Sequence, residues 1–283
     1  QEPEETERDA LQHLMRLDLP ELDDMEEIEA SARYFVDQAG IHVHSLFLTQ
    51  SEGRHTTSSV ACILQPHRLI TIRDTELADF RLLRMRARRG QVESRSPAEL
   101  LVTLLEQKVE NLADNLEDIH RNLEKTSYLV LEEEGSDLEE AIAQLAKSED
   151  SNGKIRLCLM DTQRAISFLL RHLREAPELQ ESCREIMRDI DTLMAHTTFL
   201  FDKINFLMDS TQGFINIEQN QIIKIFSIAA VVFLPPTLVA SIYGMNFEHM
   251  PELQWLLGYP WALGLMVLSG ITPYLFFKYK GWL

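Results

Sequence analysis

Basic residues are scarce in this sequence. Lys and Arg number 27 against 45 Asp and Glu, for a formal net charge of -18. That balance argues against a nucleic-acid binder and is compatible with a protein that handles cations. Cysteine is scarcer still. Cys62, Cys158 and Cys183 are scattered and form no CxxC pair, which excludes a zinc ribbon or disulfide framework and points to a reducing compartment. No P-loop, nucleophile motif or cofactor fingerprint is present, so the chain does not read as an enzyme. No signal-peptide pattern is visible after Gln1.

Two stretches lack charge altogether. Positions 225–243 and 259–277 each hold about 19 uncharged residues, enough helix to cross the hydrocarbon core of a bilayer. Lys224 precedes the first run, and Lys278 and Lys280 follow the second. The loop between them carries Glu248 and Glu252 and neither Lys nor Arg. By the positive-inside rule, the large water-soluble part and both termini lie in the cytoplasm.

What is present before the spans is an α+β pattern. Positions 1–28 are acidic, with helix-compatible pieces such as 11–17. Alternating apolar and polar residues at 41–48, 59–64 and 68–73, with a turn at 51–53, predict an antiparallel sheet. His42 and His44 share a strand face and read as ordinary sheet residues. Arg81, Arg84, Arg86, Arg88 and Arg89 read as a solvated helix face that pairs with acids. Ser96-Pro97-Ala98-Glu99 starts a helix that runs to about 134. An acidic helix to about 147, a loop at 148–153 and a helix over 154–175 follow.

From Pro177 there is no proline until Pro235, and the only interior glycine is Gly213. Ile186, Ile190, Leu193, Thr197, Leu200, Ile204, Leu207, Thr211 and Phe214 step alternately by four and three, a heptad pattern that predicts one helix continuing into the first span. At 1.5 Å per residue, 177–243 is roughly 100 Å long. A polar seam follows the same period. Asp202, Asp209, Asn216, Ile223, Ala230 and Thr237 are seven apart, and Asn220, Ser227, Leu234 and Ser241 interleave with them. Polar groups in hydrocarbon are costly unless they face protein or water. Two spans cannot enclose a pore, whereas several copies of the first span can, so the seam implies a homo-oligomer around a lined axis. Helix packing alone is the competing account. Pro235 and Pro236 leave the carbonyls of Val231 and Val232 without their usual helical donors.

The expected organisation is a cytoplasmic domain with a helical hairpin over 1–176, a stalk helix over 177–221 and a first transmembrane pore helix over 222–246. A periplasmic loop over 247–258 and a second transmembrane helix with a short basic end over 259–283 complete it. The first span ends in Tyr243-Gly244-Met245-Asn246-Phe247, followed by Met250-Pro251-Glu252-Leu253 and a last span ending in Lys278-Tyr279-Lys280-Gly281-Trp282-Leu283. In this position the motif closely resembles the CorA family of divalent-cation channels. The stretch from Phe214-Ile215-Asn216-Ile217-Glu218-Gln219-Asn220 onward is similar to proteobacterial magnesium/cobalt members, and a weaker resemblance covers nearly the whole chain.

The resemblance implies a homopentamer in a bacterial inner membrane that admits Mg²⁺, with Co²⁺ and Ni²⁺ as further ions. Gly244, Met245 and Asn246 would form its selectivity filter. Glu248 and Glu252 would concentrate cations at the mouth. Asp209, Asn216, Asn220, Ile223, Ser227, Ala230, Leu234, Thr237 and Ser241 would line the pore, with Ile223 and Leu234 standing where some members have bulky thioethers. Mg²⁺ holds its waters tightly, so neutral amides can grip the hydrated ion without trapping it. The family also implies a cytoplasmic Mg²⁺ brake between subunits, here at Glu185 and Asp209, with Asp74, Glu76 and Asp79 as candidate partners. The nearest rival is a zinc transporter of the same superfamily. A membrane-tethered sensor is the rival from another class.

Overall fold

A computed structural model describes residues 12, 33–51, 53–92, 94–132, 137–173, 176–246 and 250–281. The expectations for 1–28, apart from position 12, for Glu52 and for Glu248 lie outside the described residues. The chain divides into two compact units, Gln1–Thr211 and Gln212–Leu283.

The first unit carries a four-stranded antiparallel meander, β1 (Tyr34–Val36), β2 (Ile41–Ser51), β3 (Arg54–Leu64) and β4 (Leu69–Arg73), in that spatial order. Val43 lies opposite Cys62, and Val60 opposite Arg73. The short β1 was missing from the sequence reading, although Tyr34-Phe35-Val36 is a strand-forming triplet. Its turn into β2 is fixed by Asp37, whose carboxylate accepts from the amides of Ala39 (2.7 Å) and Gly40 (3.1 Å). Gly40 has φ +143°, and a Cβ there would collide with the Leu64 carbonyl.

Three helices pack on this sheet: α1 (Ala78–Arg88), α2 (Pro97–Leu131) and α3 (Leu138–His172). Ser96 Oγ accepts from the Glu99 amide at 3.1 Å, and Glu99 reaches back to the Arg95 amide at 2.6 Å, so the expected helix start is a reciprocal cap. The loop expected at 148–153 does not exist. Residues 138–172 form one helix, because the polar residues that resemble a loop are buried contacts. Ser151 Oγ pairs with His55 Nδ1 at 2.9 Å, and Asn152 Nδ2 donates to the Thr197 carbonyl at 3.0 Å. Those contacts outweigh the roughly 1 kcal/mol that Gly153 costs a helix interior.

His42 and His44 are sheet residues here. His42 stacks on Phe35 at 4.3 Å and pairs with Asp37 at 2.9 Å. The α1 arginines meet acids: Arg84 pairs with Glu76 (2.7 Å) and Arg86 with Glu110 (3.2 Å). Asp79 is 1% exposed. Asn111 Nδ2 donates to one of its oxygens at 3.0 Å, and the other has no partner. Burial pushes this carboxyl above its ordinary 3.8, against the Asn111 hydrogen bond and the Lys108 charge. The folded state therefore holds the proton longer than the unfolded chain, and stability falls as pH rises through 3.8 toward the folded value. Asp79→Asn keeps the acceptor for Asn111 and removes the buried charge. Thermal unfolding of that variant is expected to gain on wild type at pH 7 relative to pH 4.

The fourth helix, α4, runs unbroken over Pro177–Tyr243. Cys183, Ile186, Ile190, Thr197, Leu200, Ile204, Leu207 and Thr211 are its buried residues, so the heptad stripe from Ile186 to Thr211 joins the first unit's core, while Phe214, its last expected member, is exposed. Burial pushes the Cys183 and Cys158 thiols up to about 11 and Cys62 to about 12, and all three are free and inert.

The second unit holds the remainder of α4, a 3₁₀ turn at Pro251–Gln254 and α5 (Gly258–Tyr279). The most apolar stretches have mean hydropathy 2.2 in α4 and 1.4 in α5, and almost none of either is buried. Ile225, Phe226, Phe233 and Leu268 are each about two-thirds exposed or more. Such a surface is stable in lipid and a liability in water.

Candidate functional site: the seam and end of α4

On an ideal helix, two residues turn about 200°, so Asp202 and Asp209 stand opposite the buried Ile204 and Leu207. Both are exposed. Beyond Thr211, Asn216, Asn220, Ile223, Ser227, Ala230, Leu234, Thr237 and Ser241 are all exposed on the single chain. The seam is therefore surface, unpacked by its own subunit. Ser227 also borders a cavity shared with α5. The Thr237 hydroxyl donates to the Phe233 carbonyl at 2.7 Å, which leaves its oxygen lone pairs available as acceptors.

Pro235 and Pro236 sit within the helix without ending it. α5 approaches this stretch at Gly270. A Cβ there would lie 3.2 Å from Pro236 Cγ and 3.5 Å from the Val232 carbonyl oxygen, one of the two that the prolines deprive of a donor. A Cβ would meet the oxygen at ordinary contact distance and press on the Pro236 ring, so a small residue suits this close helix approach.

The helix stops at Tyr243. The Gly244 amide still donates to the Ala240 carbonyl (2.9 Å), and the Met245 amide to Ile242 (3.2 Å). A Cβ on Gly244 would sit 3.1 Å from the Ala240 oxygen, which favours glycine for the tight exit. Met245 and Asn246 are exposed, and the Asn246 carboxamide makes no hydrogen bond among the described residues. Glu252 lies half-buried in the 3₁₀ turn, and its carbonyl accepts from the Trp255 amide.

Glu185 is exposed, 4.0 Å from Arg188. Within the single chain, Asp79 is buried and Glu76 faces Arg84. Glu106, Glu110 and Asp189 line a cavity of about 310 Å³ between α2 and α4. Glu106 is pushed above the usual carboxylate range by burial, then by the charges of Glu110, Glu185 and Asp189. The signal was available only in part: Glu185 and Asp189 share a helix face at i, i+4, but nothing local ties them to α2. Among the described residues no three acidic, His or Cys side chains converge as metal ligands.

Fold and site together define an α+β unit joined to two membrane-spanning helices, the first bearing an exposed polar seam. The chain belongs to the CorA-like Mg²⁺ transporter family, whose model matches residues 1–279. It is 51% identical to the magnesium transport protein CorA of Salmonella typhimurium and 50% to those of Escherichia coli K12 and Yersinia pestis, over 100% of this chain and 90% of each relative. The complete CorA magnesium transporter of Methanocaldococcus jannaschii matches 99% of the chain and 89% of its own, with TM-score 0.80 at 22% identity. The ZntB cytoplasmic domain of Vibrio parahaemolyticus matches 74% of this chain and 84% of its own, with TM-score 0.57 at 15% identity.

Proposed function

We propose that this chain forms a homopentameric channel for passive influx of hydrated Mg²⁺, with Co²⁺ and Ni²⁺ as further ions. It lies in the bacterial inner membrane with both termini in the cytoplasm, as the lysines flanking the spans favour. One observation carries the reading. A carboxamide with no hydrogen bond among the described residues, Asn246, follows a span whose exposed face is a polar seam. Relatives half identical over the whole chain are named magnesium transport proteins, which supports the ion.

In this reading Gly244, Met245 and Asn246 form the filter, and Asn246 amide oxygens accept hydrogen bonds from the waters of the ion. Glu248 and Glu252 raise the local cation concentration. Thr237, Asn220 and Asn216 provide polar rings below, with Ser241, Ala230 and Ser227 between. Leu234 and Ile223 form apolar constrictions that close by dewetting. The membrane potential contributes about 2.3 kcal/mol per charge per 100 mV, so conduction requires no coupled reaction. The domain limits follow the same scheme: cytoplasmic domain 1–176, stalk 177–221, pore helix 222–246, periplasmic loop 247–258 and second span 259–283.

The brake is a regulatory Mg²⁺ between subunits, with Glu185 and Asp209 as donors. A single chain does not assemble three such ligands among its described residues, so the neighbouring subunit completes the site. Bound Mg²⁺ holds the closed ring by binding it more tightly than the open one.

The test is ion uptake into liposomes that hold the purified chain. Mg²⁺ uptake, competed by Co²⁺ and suppressed by millimolar Mg²⁺ on the cytoplasmic face, is the expected result. Zn²⁺ uptake that tracks a pH gradient, without Mg²⁺ uptake, would replace this reading with a zinc transporter. No flux of any ion from a folded oligomer would leave a tethered domain.

A further inference from the structure

At one end of the two-helix unit lies a cavity of about 500 Å³ between α4 and α5. It is lined by Lys224, Ser227, Ile228 and Val231 from α4, and by Phe277 and Gly281 at the end of α5. Its chemistry is split. Ile228, Val231 and Phe277 form apolar walls, and Lys224 supplies a cation at the rim. Lys278 and Lys280 flank Phe277 and Gly281 in the sequence. None of these three lysines forms an ion pair among the described residues. Among the described residues no carboxylate side chain lines the cavity, and α5 contains no acid from Gly258 to Tyr279.

We propose that this cavity holds one anionic phospholipid of the cytoplasmic leaflet. Its phosphate meets Lys224, with Lys278 and Lys280 beside it, and the start of an acyl chain lies against Ile228, Val231 and Phe277. A free phosphate would satisfy the lysine and leave the apolar walls wet. A neutral lipid would fill the walls and leave the lysine unneutralised. Only an amphiphile with an anionic head satisfies both parts. The site rests on the membrane reading of this unit and is independent of ion selectivity.

The experiment uses the full chain in vesicles of phosphatidylcholine with phosphatidylglycerol at 3:1. It is then extracted gently, and the retained lipid is counted by native mass spectrometry. Phosphatidylglycerol is expected to be enriched over its bulk fraction. Lys224→Gln should lower that enrichment about fivefold, and Lys224→Arg should retain it. Ile228→Trp, which fills the cavity, should lower retention while Lys224 remains. Asn246→Ala should leave lipid retention unchanged, which separates this site from the transport reading. Equal retention of both lipids, or an unaltered Lys224→Gln, would overturn the proposal. Displacement by millimolar inorganic phosphate would reassign the cavity to a free anion. Loss of retention only on dissociation of the oligomer, with Lys224→Gln silent, would assign it to a contact between copies.

Discussion

Replacing Asn246 by alanine is expected to reduce Mg²⁺ uptake to below about a hundredth of wild type while the oligomer stays intact. The carboxamide makes no hydrogen bond among the described residues, so the fold of that part of the subunit does not rest on it. The substitution removes five amide acceptors at once in the proposed ring. If each is worth about 1 kcal/mol to a water of the hydrated ion, the loss of occupancy exceeds a hundredfold. Asn246→Asp is informative in the other direction. Five carboxylates bind a dication more firmly and release it slowly, so flux falls although binding rises. Isotope or dye-based uptake, read beside equilibrium Mg²⁺ binding, distinguishes the two variants. Uptake that survives Asn246→Ala would remove the filter from this position.

The second large effect lies far from the pore, at Asp161. This carboxylate is 5% exposed and ties the sheet to α3. One oxygen accepts from Arg33 Nη1 (2.8 Å) and the Tyr34 hydroxyl (2.7 Å). The other accepts from Ser45 Oγ (2.6 Å) and the Leu46 amide (2.8 Å). Lys108, 1% exposed, donates to the same Ser45 hydroxyl at 2.8 Å and lies 3.8 Å from the carboxylate and 4.6 Å above the Phe47 ring. Burial, then the charge of Asp161, keeps the Tyr34 phenol protonated well above its ordinary range. Asp161→Ala removes the carboxylate that faces two buried cations, Arg33 and Lys108, and is expected to cost about 3–5 kcal/mol. That is a large share of a domain's typical 5–15 kcal/mol. Hydrogen exchange of the β2 and β3 amides in the full chain should accelerate by roughly a hundredfold or more. Asp161→Asn, which keeps the shape, should lose nearly as much, and adding Lys108→Met should restore part of the loss. An unchanged exchange profile in Asp161→Asn would show that shape, and not charge, holds this junction.

The two effects differ in how visible they are in the sequence. The spans, the continuous helix from Pro177, its heptad face and the motif at Gly244–Asn246 were all legible. Each is a pattern of near neighbours: apolar runs, steps of three and four, three consecutive residues. The exposed seam was legible for the same reason, since a seven-residue period fixes a helix face before any partner is known. The helix through 148–153 was not legible. Its polar residues read as a loop because their partners, His55 and Thr197, are 96 and 45 positions away. The neighbours of Glu185 within its own chain were not legible either, because Glu106 and Glu110 come from α2.

The sequence by itself determined the membrane spans, the long helix, its buried and exposed faces and the family motif. All of these follow from local periodicity and from the absence of charge over a bilayer's width. Tertiary structure alone decided the Asp161 junction, where residues up to 128 positions apart neutralise one another. It also decided the Gly270 contact over Pro236 and the lysine-rimmed cavity between α4 and α5. Charge neutralisation and close packing depend on distance in space, and no spacing along the chain encodes them.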